Sequence, residues 1–318
     1  MRALSLADRV LDASIFWSFD ASGYRRHARR FDPADLAVDL TGRRIAVTGA
    51  NSGLGKATAA GLVARGAHVL MLCRSPERGA AAQEDVAAAG PGTAELVVVD
   101  VSSPSSIDEA VASLAGSPLH ALVHNAGVLP GERRLAESGH ELTVATHLVG
   151  PVRLTAGLLP ALRAAPRARL LWVTSGGMYP TKLSVRGLKA LTTSAGSYDG
   201  VAAYSLTKRA QVVLTEQLAA RLPDLTVHVM HPGWADTPAV ASSIPKFHDT
   251  MARRLRTPEQ GADTLLWLAA AEAPTSSSGG FWFDRRRVAA HYLPWTKASA
   301  GERQALWDWL MAEAGVAL

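Results

Sequence analysis

The chain has 318 residues, 48% of them hydrophobic and 19% charged, with a net charge of +5, the profile of a globular protein long enough to bury a sizeable core. A single cysteine, Cys73, excludes an internal disulfide and a cysteine-based metal framework and fits a reducing compartment, so a cytoplasmic protein is expected. The basic surplus gathers at Arg25, Arg26, Arg29 and Arg30, at Arg253, Arg254 and Arg256, and at Arg285, Arg286 and Arg287. These groups lack the interleaved aromatics of a nucleic-acid platform and read as solvated surface, so no nucleic-acid partner is expected.

Residues 1–40 precede the first strand signal. Asp8 and Asp12 interrupt what would be the apolar core of a signal peptide. Leu4, Leu11, Ile15 and Phe19 recur at helical spacing, with Val10, Phe16 and Trp17 adding bulk. Such a helical extension can pack on its own domain, on a second subunit, or on a membrane surface; packing on the core is preferred because the acidic residues weaken the membrane case. From residue 41 onward one domain is expected, since neither a linker nor an internal repeat divides the chain.

Ile45, Ala46 and Val47 read as a buried strand, followed at once by Gly49, Gly53 and Gly55 and then a helix from Lys56 to Arg65. N–H groups around Ser52 to Leu54 would stand at a helix N-terminus, where unpaired donors and the positive dipole end suit a phosphate. A purely structural turn is the competing reading. His68–Leu72 is a second strand with Arg74 at its end. An acidic residue there would accept from a ribose 2′-OH, whereas arginine suits a 2′-phosphate, so NADP(H) is favoured over NAD(H) unless Arg74 is an ordinary loop residue. Further strands are expected at Ala94–Val99, Leu119–Val123, Leu170–Thr174 and Thr226–Met230, with helices at Pro76–Ala89, after Ser103 and across 202–222. This alternation predicts a doubly wound parallel sheet, a Rossmann fold, with helices on both faces.

The spacing Gly-x-x-x-Gly-x-Gly in Thr48-Gly49-Ala50-Asn51-Ser52-Gly53-Leu54-Gly55 resembles the cofactor loop of the short-chain dehydrogenase/reductases. Asp100-Val101 resembles the family's pair beside the adenine, and Asn125-Ala126-Gly127 its central-strand motif. Ser175, at the end of the fifth strand, precedes Tyr204-x-x-x-Lys208 on a helix, the order of the family's catalytic residues. Pro232-Gly233 and Thr237 resemble the segment beside the nicotinamide. Longer strings, among them HPGWADTP, SGGFWFDR and SGYRRHARRFDPADLAV, narrow the likeness to one branch of the family and place the N-terminal extension inside the homologous unit.

The resemblance implies an NAD(P)(H)-dependent enzyme interconverting a carbonyl and an alcohol. Tyr204 would act as acid and base, Ser175 would hold the substrate oxygen, and Lys208 would favour the phenolate and reach the nicotinamide ribose. One departure is His147, which stands where many members carry a catalytic-tetrad asparagine; it can hold a water or slow proton resupply. His124, His228 and His231 read as loop or strand histidines, and no metal is expected. The alternative function is a non-catalytic NADP(H)-binding regulator or scaffold.

Insertions near 176–200 and 237–257 are expected to form a substrate lid. Met178, Tyr179, Leu183, Leu188, Trp234, Ile244 and Phe247 would line it for a small lipophilic substrate, or would pack the lid on the body. Glu302–Ala314 reads as a packed helix ending at Gly315. Homo-oligomers are common in the family, and peripheral membrane contact through residues 1–30 is the less favoured option.

Overall fold

The computed structural model describes residues 6–193 and 196–318. Leu4 of the N-terminal pattern, and Ser194 and Ala195 of the first insertion, lie outside the described residues. Three short helices open the chain: α1 (Leu6–Ala13), α2 (Ile15–Phe19) and α3 (Ala21–Ala28). Four strand-helix steps and a fifth strand follow: β1 (Arg44–Thr48), α4 (Gly53–Val63), β2 (His68–Cys73), α5 (Pro76–Ala87), β3 (Thr93–Val98), α6 (Pro104–Leu114), β4 (Ala121–His124), a helix in three parts, and β5 (Arg169–Val173). That three-part helix comprises α7 (Leu142–Val144), a π turn (Ala145–Val149) and α8 (Gly150–Arg163). After β5 come α9 (Val185–Thr193), α10 (Gly200–Arg221), β6 (Thr226–Met230), α11 (Pro238–Ser243), α12 (Pro245–Met251) and α13 (Pro258–Ala270). The chain closes with β7 (Gly280–Phe283), β8 (Arg286–Arg287) and α14 (Ala300–Ala314).

The strands form one sheet in the order β3-β2-β1-β4-β5-β6-β7-β8. All pairs are parallel except β7 with β8. Alternate residues of each strand point to opposite faces. Ala46, Leu70, Leu122, Leu170 and Val227 join one core with Leu158 of α8, Val213 of α10 and Leu310 of α14. Ile45, Val69, Val123 and Leu171 join the other, with Leu62 of α4, Val86 of α5 and Leu268 of α13. Near-continuous apolar strands are what burial on both faces demands. Strand order reverses between β1 and β4, which opens a crevice at their carboxyl ends.

The expected doubly wound fold is the observed one, with two additions at the far edge. β7 and β8 escape sequence reading because SGGFWFD is short, and Asp284 and Arg285 turn the hairpin with positive φ (48° and 54°) without a glycine. The basic clusters depart further from expectation. Arg256 and Arg285 are not solvated surface: they are 1% and 6% exposed and ion-paired to Asp284 and Asp263. Arg26 and Arg30 likewise pair with Asp8 and Asp12 of α1. Net charge on a sequence does not reveal which arginines meet a carboxylate from another element. The C-terminal helix ends as read, with Gly315 left-handed at φ 64° and a Ser299–Glu302 capping box at its start. Among the described residues, one helical stretch, Leu142–Arg163, is long and apolar enough to cross a membrane; 78% of its apolar window is buried, as in a core helix.

Candidate active site

The glycine turn is held in a conformation that its sequence makes necessary. Gly49 and Gly53 have positive φ (65° and 51°), where a side chain is strained. A Cβ on Gly55 would lie 2.3 Å from the Gly49 carbonyl oxygen, so the loop closes on itself only with glycine there. The first N–H groups of α4 have no acceptor within the helix, and the Ser52 side chain caps none of them. Donors, dipole and room for close approach coincide at one point, as a pyrophosphate requires. Asn125 locks this turn to β4: its Nδ2 donates to the carbonyls of Thr48 (2.9 Å) and Gly49 (3.3 Å). Ala126 packs on Gly49, and the backbone N–H groups of Ala50 and Asn51 point at the buried Cys73 sulfur.

The ends of β2 and β3 form the outer part of the crevice. Arg74 is 59% exposed, with Nη1 3.9 Å from Oδ2 of Asp100. Asp100 is occupied on its other oxygen by the N–H (2.8 Å) and hydroxyl (2.6 Å) of Ser102. Val101 is buried, and the absence of a side chain on Gly150 lets α8 approach its carbonyl. β2 lies three strand steps from β5, about 14 Å at ~4.8 Å per step. Arg74 and Asp100 are therefore separated from Ser175, at opposite ends of one elongated crevice.

At the inner end, β5 delivers Ser175 and α10 delivers Tyr204 and Lys208, one helical turn apart. Ser175 hydrogen-bonds the Tyr204 phenol. Burial raises the phenol above its usual value, and the serine bond offsets part of that rise. Lys208 Nζ lies 5.5 Å from the Tyr204 ring centre and donates to the Val173 carbonyl at 2.9 Å. Burial pulls Lys208 down to about 7. The Thr174 hydroxyl donates to the Lys208 carbonyl at 2.7 Å and stitches α10 to the end of β5. Gly127 faces the same space: a Cβ there would stand 3.6 Å from Lys208 Nζ and 3.3 Å from His147 Nε2.

His147 sits in the π turn, edge-on to Tyr204 at 5.5 Å. Both ring nitrogens are used by protein. Nε2 accepts from the Val128 N–H (3.0 Å), and Nδ1 donates to the Thr207 hydroxyl (2.8 Å), which itself donates to the Tyr204 carbonyl (2.9 Å). Burial and the nearby Lys208 cation keep the ring neutral, well below the ordinary histidine range. The ring is thus a packed crosslink between α10 and the β4 loop. The π turn presents the His147 carbonyl to Gln211 Nε2, which donates to it at 3.0 Å. No pattern in the sequence announces a π turn, because it differs from α-helix by one hydrogen-bond register.

Pro232, Gly233 and Thr237 follow β6, and Thr237 packs on Gly53, with its Cγ2 3.1 Å from where a Cβ would stand. That contact closes the crevice over the glycine turn. His124 and His228 lie in strands and His231 just after one, and burial brings His124 and His231 down to about 3. The proposed apolar lining divides. Met178, Tyr179, Leu183 and Leu188 are fully buried in the main core and pack the insertion on the body, whereas Trp234, Ile244 and Phe247 remain half-buried. Two residues outside the expected set reach the site loops. Phe19 of α2 packs on Gly176, and Arg256 accompanies it against Gly233.

A family model described as short chain dehydrogenase matches residues 43–184. Dehydrogenase/reductase SDR family member 12 from Bos taurus and from Homo sapiens is each 39% identical over 284 residues, covering 89% of this chain and 89% of the relative. Retinol dehydrogenase 11 from Homo sapiens is 29% identical over 284 residues, covering 85% of each. A crystal structure of an uncharacterised protein from Mycobacterium paratuberculosis superposes with a TM-score of 0.72 at 26% identity, covering 90% of this chain and 98% of that one. Fold, glycine turn and relatives agree: the chain belongs to the short-chain dehydrogenase/reductase family, oxidoreductases that act on CH–OH or C=O groups with NAD(P)(H).

Proposed function

We propose that the chain is an NADP(H)-dependent oxidoreductase interconverting a carbonyl and an alcohol on a small lipophilic molecule in the cytoplasm. The observation that carries this reading is the cluster of Ser175, Tyr204 and Lys208 at the carboxyl end of β5, two strands from the glycine turn of β1. Gly49, Asn51, Ser52, Gly53, Leu54 and Gly55 would hold the pyrophosphate, with Asn125, Ala126 and Gly127 shaping the floor. Asp100 and Val101 would flank the adenine, and Pro232, Gly233 and Thr237 the nicotinamide. Arg74, exposed and weakly paired with Asp100, is the cation available to a 2′-phosphate, which favours NADP(H).

The bound dinucleotide supplies or accepts the hydride. Tyr204, its phenol raised by burial, is protonated at neutral pH and donates that proton to the carbonyl oxygen in reduction, or accepts it from the alcohol in the reverse direction. Ser175 donates to the same oxygen and steadies its developing charge. Lys208, when protonated, reaches the nicotinamide ribose and offsets charge on Tyr204. Trp234, Ile244 and Phe247, half-buried in the 237–257 insertion and its approach, supply an apolar wall. The relatives named retinol dehydrogenase support a lipophilic substrate. Residues 1–40 act as a packed extension of one Rossmann-type domain, with the 176–200 insertion covering the inner end of the crevice.

The test is turnover of decanal and all-trans-retinal with NADPH by wild type and Tyr204→Phe, alongside NADPH affinity. Loss of a general acid lowers turnover on the order of 100- to 10,000-fold, while affinity for NADPH is kept. Wild-type turnover by the variant overturns the mechanism, and absence of NADPH binding to the wild type overturns the cofactor assignment.

A further inference from the structure

Phe19, the last residue of α2, is buried (4% exposed) among the segments that leave the carboxyl ends of three neighbouring strands. Its ring centre lies 4.8 Å from His231 and 6.0 Å from Trp234, both after β6, and 5.2 Å from Phe283 at the end of β7. After β5 it rests on backbone. A Cβ placed on Gly176 would stand 2.4 Å from Phe19 Cε2, so the ring fills the space beside the residue that follows Ser175. The main chain of Phe19 serves the other loop. Its carbonyl accepts from the Trp234 N–H (2.9 Å) and from Arg256 Nε (2.9 Å), and a Cβ on Gly233 would stand 2.6 Å from it. Asp20, next in the chain, is clamped by Arg254 through Nε (3.0 Å) and Nη2 (2.7 Å).

Ser175 needs such a support. It is followed by Gly176-Gly177, the most permissive pair a backbone can have, and its Oγ accepts from the Gly177 N–H at 3.2 Å. Productive geometry at a reacting atom tolerates errors of only about 0.5 Å. An aromatic ring locked among Tyr179, His231, Trp234 and Phe283 is a stiff stop, and it brings the N-terminal extension against the residue that follows Ser175. We infer that Phe19 is a positioning residue: it seats the Ser175–Gly177 turn against the Pro232–Gly233 loop, so that the N-terminal segment completes the active site. This rests on the reading of Ser175 as the group that holds the substrate oxygen.

The experiment measures turnover of decanal with NADPH, and NADPH affinity, in wild type, Phe19→Ala, Phe19→Leu, Ser175→Ala and the Phe19→Ala/Ser175→Ala double variant. Displacement by about 1 Å costs on the order of 100-fold in rate, so Phe19→Ala is expected to lose kcat on that scale with NADPH affinity kept. Phe19→Leu, which retains an apolar group over Gly176, recovers most of the loss. In the Ser175→Ala background Phe19→Ala has no further effect on kcat. An equal loss in both backgrounds, or a loss confined to KM, overturns the inference. If Phe19→Ala fails to fold, Gly176→Ala probes the same contact from the other side: it lowers kcat, and pairing it with Phe19→Leu restores part of the rate. No restoration overturns the inference.

A wild type that binds NADPH but turns over no carbonyl defeats the functional reading and leaves positioning measurable by carbon-13 resonance of the Tyr204 ring. Phe19→Leu is then silent, and Ser175→Ala and Gly176→Ala raise the Tyr204 titration midpoint alike. A midpoint unmoved by Gly176→Ala overturns the positioning role.

Discussion

Arg256→Met tests the anchor of the N-terminal segment. The guanidinium is 1% exposed and bidentate to Asp284 (2.6 and 2.9 Å), and Nη2 also donates to the Ser18 carbonyl at 2.9 Å. Removing it leaves the Asp284 carboxylate buried with His27 as its remaining ionic partner, at 2.6 Å. Breaking a buried pair from one side costs about 3–5 kcal/mol. Unfolding entropy near 2.1 cal/mol/K per residue amounts to roughly 0.7 kcal/mol/K over 318 residues. The midpoint should therefore fall by roughly 4–8 °C in a calorimetric scan. Asp284→Asn is the informative second change, because asparagine tolerates the φ of 48° at this position and carries no charge. The double variant should be less destabilised than the sum of the two single ones. A midpoint shift under about 1 °C for Arg256→Met, or simple additivity in the double variant, refutes the reasoning.

Three further outcomes follow from the geometry. Gly55→Ala drives a methyl into the Gly49 carbonyl, and overpacking of about 1–3 kcal/mol should weaken NADPH binding roughly 5- to 150-fold in a fluorescence titration; unchanged affinity would count against the turn as the phosphate site. Arg74→Ala should weaken NADPH by on the order of 10- to 100-fold, the value of a hydrogen bond to a charged group, and leave NADH unchanged; equal losses would remove the 2′-phosphate assignment. His27 is held above its ordinary pKa: burial opposes the charged form, but hydrogen bonds to Asp12 and Asp284 outweigh it. Its contribution is complete below the unfolded value near 6.5 and is lost as pH rises through the higher folded value. The destabilisation by His27→Gln should thus shrink as thermal scans move from about pH 6 towards pH 9, and a penalty that grows with pH contradicts the pairing.

Much of the fold was legible because its signals are local. Apolar runs such as Val69–Leu72 and Leu170–Trp172 must be buried on both sides, and Ser75, Ser103 and Ser299 cap the helices that follow them. The glycine turn was legible for a similar reason: Gly55 touches Gly49, six residues away. Ser175, Tyr204 and Lys208 could be grouped because a strand-end serine followed by Tyr-x-x-x-Lys, one helical turn apart, stands in the order of the family's motifs. The neutral crosslinked state of His147 was not legible, since it depends on the N–H of Val128 and the hydroxyl of Thr207 arriving from separate elements. Nor was the burial of Met178, Tyr179, Leu183 and Leu188, as an apolar residue in an insertion looks the same whether it meets substrate or core.

Sequence by itself determined the alternation of β1 to β6 with their helices and the glycine turn after β1, because these follow from periodicity and short-range sterics. Only the tertiary structure decided which arginines are surface and which are anchors, and that the N-terminal segment is wedged beside Ser175. The buried cluster of Asp12, His27, Arg256 and Asp284 joins residues up to 274 positions apart along the chain to Arg286. Pairing over such separations leaves no periodic trace, since its energy comes from excluding water around charges that meet only once the chain has folded.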